Sequence, residues 1–451
     1  HESPMHGFGP ESERVARLIL EYVIDRLRQT PPPLDGPRTP EELRHATGQM
    51  ITEHGLGPDA ALALFRDVLA PACISSDHPR YVAFVPTAPT EAASFFDLVV
   101  SAANIYGDWW LEGAGAIFAE MQTLRWLADL AGFPPDAGGV FLSGGTAGNL
   151  TALTVARQTW RRRHDTTRPA AVAVAPSAHS SVRLSAMVTD IPVLVVPGDE
   201  HGRLTGTLLR DALDHADQEV FAVVATGGAT NTGLIDDLAG VAEVCQDREL
   251  WLHVDAAYGG AAMASSLARP WFDGIERADS FIVDPHKWLF APFDCAALLY
   301  RDPNLARAAL TQHAGYLETL APTAPLNPSD LGIHMTRRVR GLPLWFSLTS
   351  HGTAAYDAAI TRGIELARAT ADRVRQAQHL ELVMNPQLSV VLFRRTGWDA
   401  DRCQAWSDGA LESGLGLLVP TVHDGETVFR CCFVNPTTTL DDVDALLDAM
   451  R

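Results

Sequence analysis

The sequence predicts a doubly wound α/β fold, a mostly parallel sheet covered by helices on both faces, followed by a smaller C-terminal α+β domain. Two patterns lead to that expectation. From about residue 138 to 300, short apolar runs alternate with helical patterns, at 139–142, 171–175, 193–196, 220–226, 250–255, 280–284 and 295–300. Several of these runs lie a dozen or more residues apart, the separation that crossover connections need between parallel strands buried on both faces. Beyond Arg337 to Trp345 the pattern changes to a long helix near 353–377, strands near 388–394 and 427–433, and helices near 400–413 and 440–450.

In chain order, Val15, Leu18, Ile19, Tyr22, Val23 and Leu27 recur at three- and four-residue spacing and predict an amphipathic helix over 11–29. A proline-rich run, Thr30 to Pro40, ends it, and a second helical stretch covers about 58–68. His78 and Pro79 then lead into a loop through Pro86 and Thr87. These features divide the chain into an N-terminal helical segment, 1–80, a large domain, 81–345, and a small C-terminal domain, 346–451. The proline-containing stretch 320–330 reads as an exposed loop.

Composition narrows the function. The chain has 451 residues, 47% hydrophobic and 20% charged, which suits a globular protein with a large core. Lys and Arg number 35 against 55 Asp and Glu, a net charge of −20 that opposes docking on nucleic acid or anionic lipid. No apolar stretch approaches the roughly 18 residues of a membrane span, and residues 1–10 lack the basic-then-apolar form of a signal peptide. The expectation is a cytoplasmic protein. Six cysteines without CxxC or zinc-finger spacing suggest scattered thiols and no metal site, with Cys431 and Cys432 alternating across a strand.

One count stands apart: of the 35 basic residues only Lys287 is a lysine. Arginine replaces lysine on a solvated surface, but its guanidinium cannot act as the nucleophilic amine of a Schiff base. Lys287 follows an apolar run in Asp284-Pro285-His286-Lys287-Trp288, beside an imidazole and a carboxylate. Earlier, Ser143-Gly144-Gly145-Thr146-Ala147-Gly148-Asn149 joins a strand to a helix; its small residues suit either a phosphate cradle or a tight turn. In Trp251-Leu252-His253-Val254-Asp255-Ala256-Ala257-Tyr258 an apolar strand ends in a carboxylate, where α/β sheets bind ligands. Asp255 there suits a protonated ring nitrogen of a cofactor, a helix cap or an ion pair. His179, after the run 171–175, suits a structural role or stacking on a planar ring. Together the four sites form the part list for pyridoxal phosphate (PLP).

On these motifs the chain resembles the PLP-dependent group II amino acid decarboxylases, from about His78 onward and most strongly in His253 to Tyr258 and Asp284 to Trp288. Weaker matches are Phe84-Val85-Pro86-Thr87 and Glu120 in the helix before Gly132-Phe133-Pro134. The resemblance implies fold type I, the aspartate aminotransferase type, in a homodimer with active sites at the interface, which gives the 1–80 segment a dimerising role and makes 81–345 the PLP-binding domain. It implies that Lys287 forms the internal aldimine, that Asp255 pairs with the pyridine nitrogen, and that His179 and Ala257 cover the two ring faces. Gly145, Thr146, Asp284 and His286 match positions around the phosphate. Thr87, Trp109 and Trp110 match the substrate region. The implied reaction is decarboxylation of an L-amino acid, aromatic by preference, to an amine and CO2 through a quinonoid.

Three departures leave alternatives open. Family members often protonate Cα with a loop tyrosine, yet the corresponding stretch here, Ala324 to His334, has none; Tyr316 lies before it and His334 at its end. An unprotonated intermediate would let O2 convert the substrate to an aldehyde by oxidative deamination. Ala229 stands where relatives usually carry Thr, and Asp284 where they often carry Asn. In Tyr106 to Gly115, Trp109 and Trp110 suit either the floor of an aromatic substrate pocket or interface packing, whereas Asp108 or Glu112 suits a cationic or hydroxylated side chain. A catalytically silent PLP-fold binding protein is the alternative of another class.

Overall fold

The computed structural model describes residues 5–311 and 327–451. Three helices, Pro10–Arg28, Pro40–Thr47 and Pro58–Leu64, open the chain. Helices Glu91–Ala103 and Trp110–Leu130 then lead into a seven-stranded sheet. Its strands are β1 (Gly138–Leu142), β2 (Ala171–Val174), β3 (Val193–Val195), β4 (Val220–Thr226), β5 (Trp251–Asp255), β6 (Ser280–Val283) and β7 (Ala296–Tyr300). Their order is β1-β7-β6-β5-β4-β2-β3. Only β7 runs against its neighbours, so β1 and β6 on either side of it point the same way.

The seven runs read from the sequence are these seven strands, each displaced by two residues or fewer at its ends. They were legible because both faces are covered. Val140 and Leu142 pack into one apolar cluster and Phe141 into the other, and Val224 and Val223 divide in the same way. Helix Gly145–His164 lies on the first face. Helices Trp110–Leu130 and Leu238–Asp247 lie on the second.

After helices Leu342–His351 and Thr353–Gln376, strands β8 (Leu380–Leu382), β9 (Val390–Arg395), β10 (Pro420–His423) and β11 (Glu426–Cys432) form an antiparallel sheet in the order β10-β11-β9-β8. Helices Ala400–Glu412 and Leu440–Asp448 complete the C-terminal region. The alternation of Cys431 and Cys432 holds: Cys431 joins the cluster of this small sheet and Cys432 the main core. All six cysteines are free. Val82 also packs in the small-sheet cluster, and Tyr81 bridges to Leu417, so the chain entering the large domain first passes along the C-terminal one.

The expected exposure of 320–330 is corrected over its last four residues. Residues 327–330 are buried: Asn327 is 5% and Asp330 5% exposed. Asn327 Oδ1 accepts the Trp110 N–H at 2.8 Å, and Asp330 Oδ1 accepts the Thr311 hydroxyl at 3.1 Å. The prolines suggest an exposed loop, but Asn327 caps the Trp110 backbone and Asp330 Oδ2 accepts the Asn327 N–H at 3.1 Å. Residues 320–326, with Tyr316, lie outside the described residues. Among the described residues no helix is long and apolar enough to cross a membrane.

The glycine-rich turn lets its helix settle unusually close to the sheet. A Cβ added at Gly148 would stand 1.6 Å from Ile282 Cδ1 and 3.0 Å from Cγ1, and Ile282 is fully buried. Gly148→Ala should therefore destabilise by about 1–3 kcal/mol despite alanine's better helix propensity. Thermal unfolding should show the loss, and adding Ile282→Val, which removes Cδ1, should restore part of it.

Candidate active site

Strands β1, β2, β4, β5 and β6 run in one direction, so the segments after them meet along one edge of the sheet. The ends of β4 and β5, the turn after β2 and the turn after β6 enclose a small cavity whose wall includes His179, Thr226, Asp255, Ala257 and Lys287. Four residues singled out from the sequence, Lys287, Asp255, His179 and Ala257, thus come together on its wall.

Asp255 is 6% exposed. Its Oδ2 accepts the Asn149 side-chain N–H at 2.9 Å and its Oδ1 accepts the Ala257 backbone N–H at 3.2 Å. Such donors stabilise a carboxylate withdrawn from water. Asn149 lies one turn inside helix Gly145–His164, and its Nδ2 also reaches Ser181 Oγ at 2.9 Å. Its Oδ1 lies 2.9 Å from His253 Nε2, while His253 Nδ1 lies 2.8 Å from Ser280 Oγ. Neither Asn149 nor His253 was assigned a role from the sequence. The signals were present: strand alternation sets His253 on the face of Asp255, and Asn149 follows Gly145 by four residues.

Lys287 stands on the single helical turn Pro285–Trp288, with Nζ 3.0 Å from Asp284 Oδ2. The same oxygen accepts the Gly145 N–H at 3.2 Å. Asp284 therefore joins the glycine turn to the lysine turn, and its Oδ1 is buried without a hydrogen-bond partner. His286 Nδ1 accepts the Cys295 N–H at 2.9 Å, and Nε2 lies 3.7 Å from Asp284 Oδ2. Burial pushes the His286 imidazole below its ordinary pKa. Thr87 is buried, and its hydroxyl donates to the His286 carbonyl. Thr146 is exposed, and Trp109 and Trp110 do not line the Lys287 cavity of their own chain.

His179 caps helix Ser180–Val188: its Nδ1 accepts the Ser181 N–H at 3.2 Å and lies 2.8 Å from Ser181 Oγ. Tyr258 stacks on Trp288 at 5.5 Å, and its hydroxyl oxygen accepts the Ser389 N–H at 3.1 Å. Arg430 Nε donates to the Thr230 carbonyl at 2.7 Å, and its Nη1 to the Phe84 carbonyl at 2.5 Å, tying the site to β11. Glu120 pairs with Arg337 in the interior and accepts the Gly341 N–H at 2.9 Å. Burial pushes the Glu120 carboxyl up while Arg337 opposes the shift. Gly107 N donates to the Arg337 carbonyl at 3.3 Å, so this pair braces the segment carrying Asp108 to Trp110.

The residues fit PLP. Thr226 Oγ1, on the cavity wall, is buried without a partner and offers a hydroxyl to a polar ring substituent. A Cβ on Gly145 would stand 3.1 Å from Asp284 Oδ2 and 3.2 Å from Ala257 Cβ, so glycine keeps the turn open to a phosphate.

The pyridoxal-dependent decarboxylase conserved domain matches residues 40–396, and the chain belongs to that family. It is a PLP-dependent amino acid decarboxylase of group II, with the fold type I architecture. An aromatic-L-amino-acid decarboxylase of Bacillus atrophaeus is 30% identical over 96% of this chain and 93% of its own. An L-2,4-diaminobutyrate decarboxylase of Rhizobium meliloti (strain 1021) is 32% identical over 100% of this chain and 94% of its own. The crystal structure of mouse CSAD superposes with a TM-score of 0.90 at 26% identity, covering 98% of each chain.

Asp284→Asn keeps an acceptor for the Gly145 N–H and removes a charge beside the glycine turn. A like charge of this kind is worth about 1 kcal/mol or more to a nearby anion, so the variant should bind PLP and inorganic phosphate several-fold more tightly. Absorbance titration checks this; unchanged affinity for both would show that the carboxylate does not face the anion.

Proposed function

We propose that the chain decarboxylates an aromatic L-amino acid to its amine and CO2, with Lys287 as the residue that carries PLP. When bound, PLP supplies an electron sink for the pair left on Cα as CO2 departs. The chain's residues do the rest. Asp255, to which Asn149 donates, would accept a hydrogen bond from the pyridine nitrogen. His179 and Ala257 would confine the two faces of the ring, and Gly145, Thr146, Asp284 and His286 would surround the phosphate. Thr87, Trp109 and Trp110 contribute to the substrate region, with Trp109 and Trp110 reaching it across a subunit interface. The observation that carries the catalytic part of this reading is the meeting of the sole lysine, Lys287, with Asp255 in one cavity. The aromatic preference rests on the two indoles and on the Bacillus atrophaeus relative.

A second reading of the substrate has its own support. Asp108 is 1% exposed with Oδ1 unpartnered, and burial pushes its carboxyl above the ordinary range. A cationic side chain would relieve that cost, and the Rhizobium meliloti relative is named for diaminobutyrate. The proton donor to Cα divides the products. Tyr316 lies outside the described residues, and His334, whose Nε2 is buried without a partner, is held below its ordinary pKa by burial. Without a donor, O2 and water would yield aldehyde, ammonia and peroxide beside CO2.

The PLP-loaded protein should release CO2 and amine in equal amounts from an aromatic L-amino acid, and Lys287→Ala should lose both turnover and the absorbance of lysine-bound cofactor. Turnover of L-2,4-diaminobutyrate alone would select the Asp108 reading, and aldehyde with peroxide the oxidative one. Retained turnover in Lys287→Ala would refute the assignment of the lysine.

The working unit is a homodimer in the cytoplasm, with residues 1–80 as its dimerising segment, 81–345 as the PLP-binding domain and 346–451 as the small domain. Helices Pro10–Arg28, Pro40–Thr47 and Pro58–Leu64 bury no residue within the chain, and Ile19, Leu20 and Phe65 stay exposed. Apolar faces of this kind seek a partner surface. Light scattering should give twice the 48.7 kDa chain mass, and Ile19→Glu with Phe65→Glu should shift the protein towards monomer.

A further inference from the structure

Behind Asp255 runs a buried polar chain whose direction is set from its carboxylate end. At one end the Trp251 indole, a group that only donates, reaches Ser280 Oγ at 2.9 Å. At the other an ionised Asp255, which only accepts, receives Asn149 Nδ2 at 2.9 Å. Between them Ser280 Oγ lies 2.8 Å from His253 Nδ1, and His253 Nε2 lies 2.9 Å from Asn149 Oδ1. Ser280 and His253 are fully buried and Asn149 nearly so, so water does not complete their bonding.

Starting from the carboxylate, Asn149 must turn its NH2 to Asp255, which leaves its oxygen facing His253. His253 must then carry hydrogen on Nε2, and its Nδ1 must accept from the Ser280 hydroxyl. The Trp251 indole is compatible with that direction: Ser280 Oγ accepts from it on one lone pair, and its hydroxyl hydrogen is free to point at His253 Nδ1. Burial also pushes the His253 imidazole down to about 4, which keeps it neutral.

An amide is nearly the same shape when turned over, so packing distinguishes its two orientations poorly and hydrogen bonding decides between them. Turned over, Asn149 would set its oxygen against the Asp255 carboxylate and its NH2 against the Nε2–H of His253. We propose that His253 is a positioning residue: its Nε2–H holds the Asn149 amide with NH2 towards Asp255 and so maintains the anion that partners the PLP ring nitrogen. The Ser280 hydroxyl, donating to Nδ1, accommodates the tautomer this requires. The proposal rests on the reading of Asp255 as that partner.

The test compares the affinity of the apo protein for PLP and for its analogue with carbon in place of the ring nitrogen, in the wild type, His253→Leu, His253→Gln and Asp255→Asn. Hydrogen bonds to charged groups are strong enough that losing this alignment should cut the preference for PLP over the analogue by about tenfold in His253→Leu. His253→Gln, which keeps a donor for Asn149 Oδ1, should stay within about threefold of wild type. Equal weakening of both ligands in His253→Leu, or no weakening, would overturn the proposal, since a purely structural residue does not sense the ring atom. A preference that survives in Asp255→Asn would instead refute the reading of Asp255 itself. Should His253→Leu fail to fold, imidazole 15N spectra of the apo wild type, assigned with His253→Gln, decide the matter: an Nε2–H tautomer supports the proposal and an Nδ1–H tautomer overturns it.

Discussion

Asp255 is nearly withdrawn from water, and a buried polar group is tolerated only where hydrogen-bond partners replace the solvent it has lost. Much of the architecture serves that requirement. One donor is the backbone of the turn that follows Asp255, through Ala257. The other, Asn149, arrives on a different element, and its helix settles closely on the sheet because Gly148 offers no Cβ to Ile282 on β6. Helix-to-sheet spacing, a matter of packing, thus sets the electrostatics of the site. The start of the same helix presents Gly145 to Asp284, so one element contacts both Asp255 and the turn that carries Lys287.

The cavity also depends on residues far away in sequence. Tyr258 meets Ser389, and Arg430 on β11 holds the carbonyls of Phe84 and Thr230. The buried Glu120–Arg337 pair fastens the segment before the small domain to the long helix Trp110–Leu130. Removing one member of such a pair strands the other charge in the interior, so these contacts couple the order of the site to the seating of the C-terminal region. The conserved domain match, residues 40–396, likewise runs through the whole seven-stranded sheet and into β8 and β9 of the small one.

Legibility in the sequence followed the nature of each signal. The strands of the large sheet were readable because burial on both faces makes them apolar throughout. Lys287 stood out by composition, and Asp255 by ending an apolar strand. Residues 327–330 are not legible because a proline-containing run reads as an exposed loop, whereas Asn327 and Asp330 cap backbone there. Asn149 stands within a glycine-rich turn with no local mark of its role, because its partners Asp255, Ser181 and His253 come from three other segments.

By itself the sequence determined the fold class and the cofactor, because periodicity, a unique amine and strand-terminal polar groups are local properties of the chain. The tertiary structure decided which of the candidate residues share a cavity, that Thr87 spends its hydroxyl on the His286 carbonyl, and that Trp109 and Trp110 stand off the Lys287 cavity of their own chain. It alone revealed the polar chain from Trp251 to Asp255. Hydrogen bonds between elements depend on distances and directions that arise only when helix and sheet pack, and no one-dimensional pattern encodes them.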